Sequence, residues 1–81
     1  MSHQLHVTYF AILREQRGLS SEDLLTNAST PRALYEEQRS KYHFTLSAER
    51  VRVAIDDAFT DWDQPLRHGQ KVAFIPPVAG G

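Results

Sequence analysis

Lys71-Val-Ala-Phe-Ile-Pro-Pro-Val-Ala-Gly-Gly81 decides how the rest of this chain is read. From Lys71 to Ile75, polar or small residues alternate with large apolar ones, so Val72 and Phe74 face one side of a strand and Lys71, Ala73 and Ile75 the other. Pro76 and Pro77 have no amide hydrogen to give a sheet ladder, so pairing should stop at Ile75 and the chain should leave the body extended. Val78, Ala79, Gly80 and Gly81 then grow smaller toward the carboxylate, and the final two carry no Cβ to obstruct a narrow channel. A frayed end and a strand stop account for each part taken separately. Together they describe a terminal carboxylate held out to a partner. Such a carboxylate is a poor electrophile until one oxygen is made a leaving group, so the implied chemistry is activation followed by nucleophilic displacement. The expected division is a domain over residues 1–75 and an extended tail over 76–81.

Working back from that end, Val51, Val53 and Ile55 alternate with Arg50, Arg52 and Ala54 as a strand, Asp56-Asp57 form a turn, and Ala58-Phe59-Thr60 make a short return strand. Pro65 to Gly69 reads as a tight turn or a single 3₁₀ turn ahead of the last strand. Thr30-Pro31 opens the main helix, with a hydroxyl at the N-cap and a proline at the first helical position. It should run to about Tyr42, with Leu34, Tyr35, Gln38 and Tyr42 on the buried side and Arg32, Glu36, Arg39 and Ser40 toward water. Near the start, Leu5, Val7 and Tyr9 alternate with His6, Thr8 and Phe10 as a first strand. Ala11 to Arg17 then form a two-turn helix that Gly18 closes. Leu19 to Asn27 is ambiguous, because Leu24, Leu25 and Thr26 could pair back on the first strand while Ser20 to Asp23 favour turns; a weak second strand is expected around Glu22 to Thr26. The order implies an α+β fold, a mixed sheet packed on one main helix.

Eighty-one residues make one small domain, burying roughly 60% of the surface its unfolded chain exposes. Nine basic and ten acidic residues are spread along the chain for a net charge of −1, which is no footprint for nucleic acid. No apolar run approaches the ~20 residues of a bilayer helix and the start has no signal-peptide pattern, so a cytoplasmic protein is expected. The chain has no cysteine, hence no thiol nucleophile and no thiolate ligand. His3, His6, His43 and His68 lack metal-ligand spacing, and Asp56, Asp57, Asp61 and Asp63 lack a calcium-loop pattern, so no metal site is expected. Strand parity places Val7, Tyr9, Val53, Ile55, Val72 and Phe74 under the helix. Phe10 and Ile75 are left on the opposite face, and Phe59 has no evident place in the core. These three are either a docking patch or residues scattered under loops.

Tyr9-Phe10-Ala11 to Arg14-Glu15, Pro65-Leu66 with Gly69, and above all Val72 to Gly81 resemble the MoaD family, the small subunits of molybdopterin synthase, which are ubiquitin-like β-grasp sulfur carriers. The resemblance covers nearly the whole chain. It implies a β-grasp fold and a Gly81 that a ubiquitin-activating-type adenylyltransferase adenylylates with ATP and that is then converted to a thiocarboxylate. It implies further that the tail, Pro76 to Gly81, inserts into the large subunit of a heterotetramer and passes sulfur to cyclic pyranopterin monophosphate. The carrier would bind no cofactor itself and would not be an enzyme alone. The family's docking positions align with Phe10, Phe59 and Ile75. Asp56 departs from the family's usual Asn in the turn after the strand, which affects local hydrogen bonding only. Two other readings share the activation step: a ubiquitin-like modifier joined through Gly81 to a lysine, and a carrier for another pathway such as thiamin thiazole, whose carriers are usually shorter and lack the Pro-Pro.

Overall fold

Alternation carries the strands as expected, and the computed structural model describes residues 2–77. β1 (His3–Tyr9) buries Leu5, Val7 and Tyr9 and turns Gln4 and His6 outward. It is followed by α1 (Ile12–Arg17), whose end is made by Gly18 at φ 85 with its N–H donating to Arg14 O. β2 (Ser21–Thr26) settles the ambiguous segment as a strand. α2 (Pro31–Tyr42) begins where Thr30 Oγ1 accepts the N–H of Ala33, at 3.2 Å. Leu34, Tyr35 and Gln38 are its buried stripe, while Arg39 is drawn half inward because its Nε donates to Phe44 O. β3 (Arg52–Ile55) starts two residues later than the expected Arg50, since Val51 closes a 3₁₀ turn over Ala48–Arg50. β4 (Ala58–Thr60) and β5 (Lys71–Ile75) match their expected bounds, and the 65–69 segment is an irregular turn anchored by buried Leu66.

The five strands form one mixed sheet in the order β2-β1-β5-β3-β4. β5 is central, parallel to β1 and antiparallel to β3, with Val72 opposite Val7 and Phe74 opposite Tyr9 and Val53. This is the β-grasp arrangement. α2 covers the inner face, where Phe74 meets Tyr35 edge-on at 5.1 Å and stacks with Trp62 at 6.0 Å. Fully burying a side chain such as Phe74 contributes about 1.5–3 kcal/mol, so the last strand is held from both neighbours and from the helix. Asp56 and Asp57 both have positive φ, 50° and 71°, as the two-residue turn between β3 and β4 demands for its twist. The Asp56 carboxylate also accepts the N–H of Lys71 at 3.0 Å, tying that turn to the start of β5.

The sheet's other edge is joined to both helices by a polar cluster. Glu22 lies opposite Val7 and therefore on the inner face. Its carboxylate accepts two bonds from Arg17 at 2.8 Å and one from the Tyr9 hydroxyl at 2.7 Å, while Gln38 Nε2 donates to the Tyr9 oxygen. Arg17 also lies 3.9 Å above the Tyr42 ring. Those charge-assisted bonds satisfy groups that are mostly shielded from water. Burial, helped by the bond to Glu22, pushes the Tyr9 hydroxyl well above its ordinary range.

Candidate functional site

Among the described residues no helix covers the outer face of the sheet, and the shape of that face follows from the register. Across the four strands β4, β3, β5 and β1, Phe59, Ala54, Ala73 and Thr8 stand side by side. The two central residues are alanines, so the row is low in the middle and high where Phe59 rises. One step along, Arg52 faces Ile75, and Phe10 follows the Tyr9 that pairs with Phe74. The result is an apolar trough of about 280 Å³ whose walls include Phe10, Phe59 and Ile75. The structure therefore brings these three residues, parted by parity from the core, around one depression. Phe59 is 57% exposed and Phe10 42%, and neither is needed to close the core.

The trough ends where the chain leaves the sheet. Pairing stops at Ile75 as expected, but Pro76 is buried, so the departure from the body comes one residue later than the proline pair suggested. Pro76 has lost only its ladder donor, and its ring still packs as an apolar group. Pro77 is exposed. Ile75, Pro76 and Pro77 border a second hollow of about 770 Å³ with Phe10, Ile12 and Leu46. They border a third, of about 330 Å³, with Arg52 and Phe59. The base of the tail is thus set among exposed apolar side chains. Val78, Ala79, Gly80 and Gly81, which the sequence names as the inserting and reacting residues, lie outside the described residues.

Ala11 supports this rim in an unusual backbone state, φ 52 and ψ −125, between exposed Phe10 and Ile12. A residue with a Cβ is strained there by about 1–3 kcal/mol. The strain turns the chain sharply out of β1 so that Phe10 and Ile12 both stay on the surface while Leu13 is buried. Sequence reasoning did not single out Ile12, Arg52, Ala54 or Ala73. The signal for the alanines was present, since small residues at outward positions on adjacent central strands leave a hollow, but reading it requires knowing that β3 and β5 are neighbours.

The remaining candidates are dispersed. His6 Nδ1 is 3.0 Å from Asp23 on an exposed part of the outer face, and His68 Nδ1 accepts the N–H of Gln4. Among the described residues, no group of three or more His, Asp or Glu side chains is placed to hold a metal ion. No described helix is long and apolar enough to cross a membrane.

The ThiS family profile matches residues 7–81 of this chain. The molybdopterin synthase sulfur carrier subunit of Escherichia coli is 30% identical over 80 residues, an alignment that covers 95% of this chain and 99% of that one. Two solved structures are similar in fold. Small archaeal modifier protein 1 from Methanosarcina acetivorans superposes with a TM-score of 0.79 at 17% identity, over 100% of this chain and 99% of its own. A chain in the complex of subunits 1 and 2 of molybdopterin-converting factor from Helicobacter pylori gives 0.64 at 23% identity, over 100% of both. At these identities the structural likeness shows the fold alone, which modifiers and carriers share.

Proposed function

This chain belongs to the ThiS family, and on that premise we propose that it is the sulfur carrier subunit of a molybdopterin synthase, acting with a large subunit that supplies the acid and base groups. The observation that carries the reading is the nearly full-length relation to a sulfur carrier subunit of that enzyme. The outer-face trough supports it, because a partner that admits the tail must close over the surface from which the tail departs.

Gly81 is the reacting residue. On a ubiquitin-activating-type adenylyltransferase, its carboxylate oxygen attacks the α-phosphorus of ATP and pyrophosphate leaves. A hydrosulfide equivalent then adds to the activated carbonyl carbon, AMP departs with the oxygen, and a thiocarboxylate remains. In the large subunit, the thiocarboxylate sulfur attacks a carbon of cyclic pyranopterin monophosphate, the oxygen substituent on that carbon leaves with the bonding pair, and water then cleaves the acyl carbon–sulfur bond to regenerate the carboxylate. Two charged carriers in succession build the dithiolene of molybdopterin, in a heterotetramer of two small and two large chains. Four residues beyond Pro77 span at most about 14 Å when extended. The reacting centre of the large subunit therefore lies within that distance of the tail's base, and Phe10, Phe59 and Ile75 form the apolar heart of the contact.

The test is the intact mass of the chain after incubation with ATP, the adenylyltransferase and a sulfur source. The expected result is a gain equal to one oxygen replaced by sulfur, localised to Gly81 and abolished when Gly81 is deleted. Recovery of the terminus as an isopeptide on lysine, with no thiocarboxylate, would overturn the reading.

A further inference from the structure

Arg52 stands at the corner where the trough meets the tail. Its backbone pairs with Ile75, the last residue of β5, and its side chain emerges on the outer face. The guanidinium carbon lies 4.0 Å from the centre of the Phe59 ring. Among the described residues Arg52 has no salt bridge, whereas Arg17, Arg32 and Arg39 each have a carboxylate partner. Glu49 and Arg50 border the same hollow, yet neither is ion-paired there among the described residues.

The contact of the guanidinium with the Phe59 ring is a cation–π contact, which uses up no N–H donor. Those donors keep the fork that matches a carboxylate. The ring contact also favours one placement of the side chain, which lowers the entropic cost of using it. Arginine does not lose its proton in proteins, so a surface that closes over it must accept a charge. Burying that charge without a partner is costly, and pairing it in good geometry removes the penalty.

Resting on the proposed docking with the large subunit, we infer that Arg52 is a specificity-determining contact that receives a carboxylate of that subunit at the tail's base. Insertion of the tail forces the closure, since the hollow containing Arg52 is also bordered by Pro76 and Pro77. The partner surface facing this corner is therefore acidic, set beside an apolar area that fits the trough. The contact selects partners by charge at a place where the apolar walls select only by shape.

The experiment is titration of the full chain with the large subunit at several salt concentrations, comparing the parent with Arg52→Gln and Arg52→Lys. For Arg52→Gln, the dissociation constant should rise by about tenfold or more at low salt, with a shallower dependence on salt. Arg52→Lys should restore the salt dependence but only part of the affinity, because an ammonium gives neither the fork nor the same ring contact. Thermal unfolding of both variants should match the parent, since Arg52 is exposed. If Arg52→Gln binds within twofold of the parent with the same salt dependence, the carboxylate contact does not exist. If the parent chain itself fails to bind, the assignment of the partner falls, and this contact with it.

Discussion

Replacing Glu22 by glutamine tests the cluster that fastens both helices to the sheet edge. Glu22 accepts two bonds from Arg17 and one from Tyr9, and the Arg17 and Glu22 side chains are only 17% and 15% exposed. Removing one partner from a fully buried ion pair costs about 3–5 kcal/mol. Here some water reaches the pair, and the glutamine carbonyl can still accept from Tyr9, so a loss of about 2 kcal/mol is expected. For a domain of this size, that lowers the unfolding midpoint by roughly 8–16 °C. The bonds from Arg17 chiefly hold the Glu22 carboxyl below the usual carboxylate range. A depressed carboxyl stabilises the fold above its unfolded value, about 4.3, and that contribution is lost as the pH falls through the folded value. Thermal melts of parent and Glu22→Gln should therefore differ fully at neutral pH and converge in acid. Equal midpoints at neutral pH, or a gap that persists unchanged once the carboxyl is protonated, would refute this account. Arg17 ends α1 and Tyr9 directly precedes Phe10, so the variant should also loosen the trough's rim.

Two further outcomes are expected. Ile75→Glu places a charge in the trough wall and should weaken binding of the large subunit by about tenfold or more with the fold retained; titration together with far-ultraviolet circular dichroism checks both, and unchanged affinity would remove the trough from the docking surface. Ala11→Gly relieves a strained backbone at some loss of chain stiffness, for a net gain of about 1 kcal/mol in chemical denaturation; a destabilised variant would mean that the Ala11 methyl group matters more than its backbone angles.

The parts of the fold legible in the sequence were those with a local cause. Thr30-Pro31 marks a helix start through one hydroxyl and one fixed φ, and α2 begins there. The alternation of β1 and β5 reports a surface wet on one side and dry on the other, so Val7, Tyr9, Val72 and Phe74 were assigned correctly to the core. β2 was obscure for an equally physical reason. Its inner face carries Glu22, Leu24 and Thr26, only one of them apolar, because the other two bond with polar side chains on other elements. Glu22 meets Arg17 and Tyr9, while Thr26 meets Glu37. A strand edge satisfied by such partners has no periodic signature. The burial of Pro76 was not legible, because its missing N–H is visible in the sequence and the packing of its ring is not.

By itself, the sequence determined that the chain has no cysteine thiol and which side chains of each strand share a face, since alternation is a property of neighbouring residues. Tertiary structure decided that β5 lies between β1 and β3, and hence that Ala54 and Ala73 lie side by side as a floor, that Phe10, Phe59 and Ile75 surround it, and that Arg52 meets the Phe59 ring at the tail's base. Those relations depend on strand order, which comes from how α2 and the buried aromatic rings pack together. That is a sum over contacts distant along the chain, and no single stretch of sequence records it.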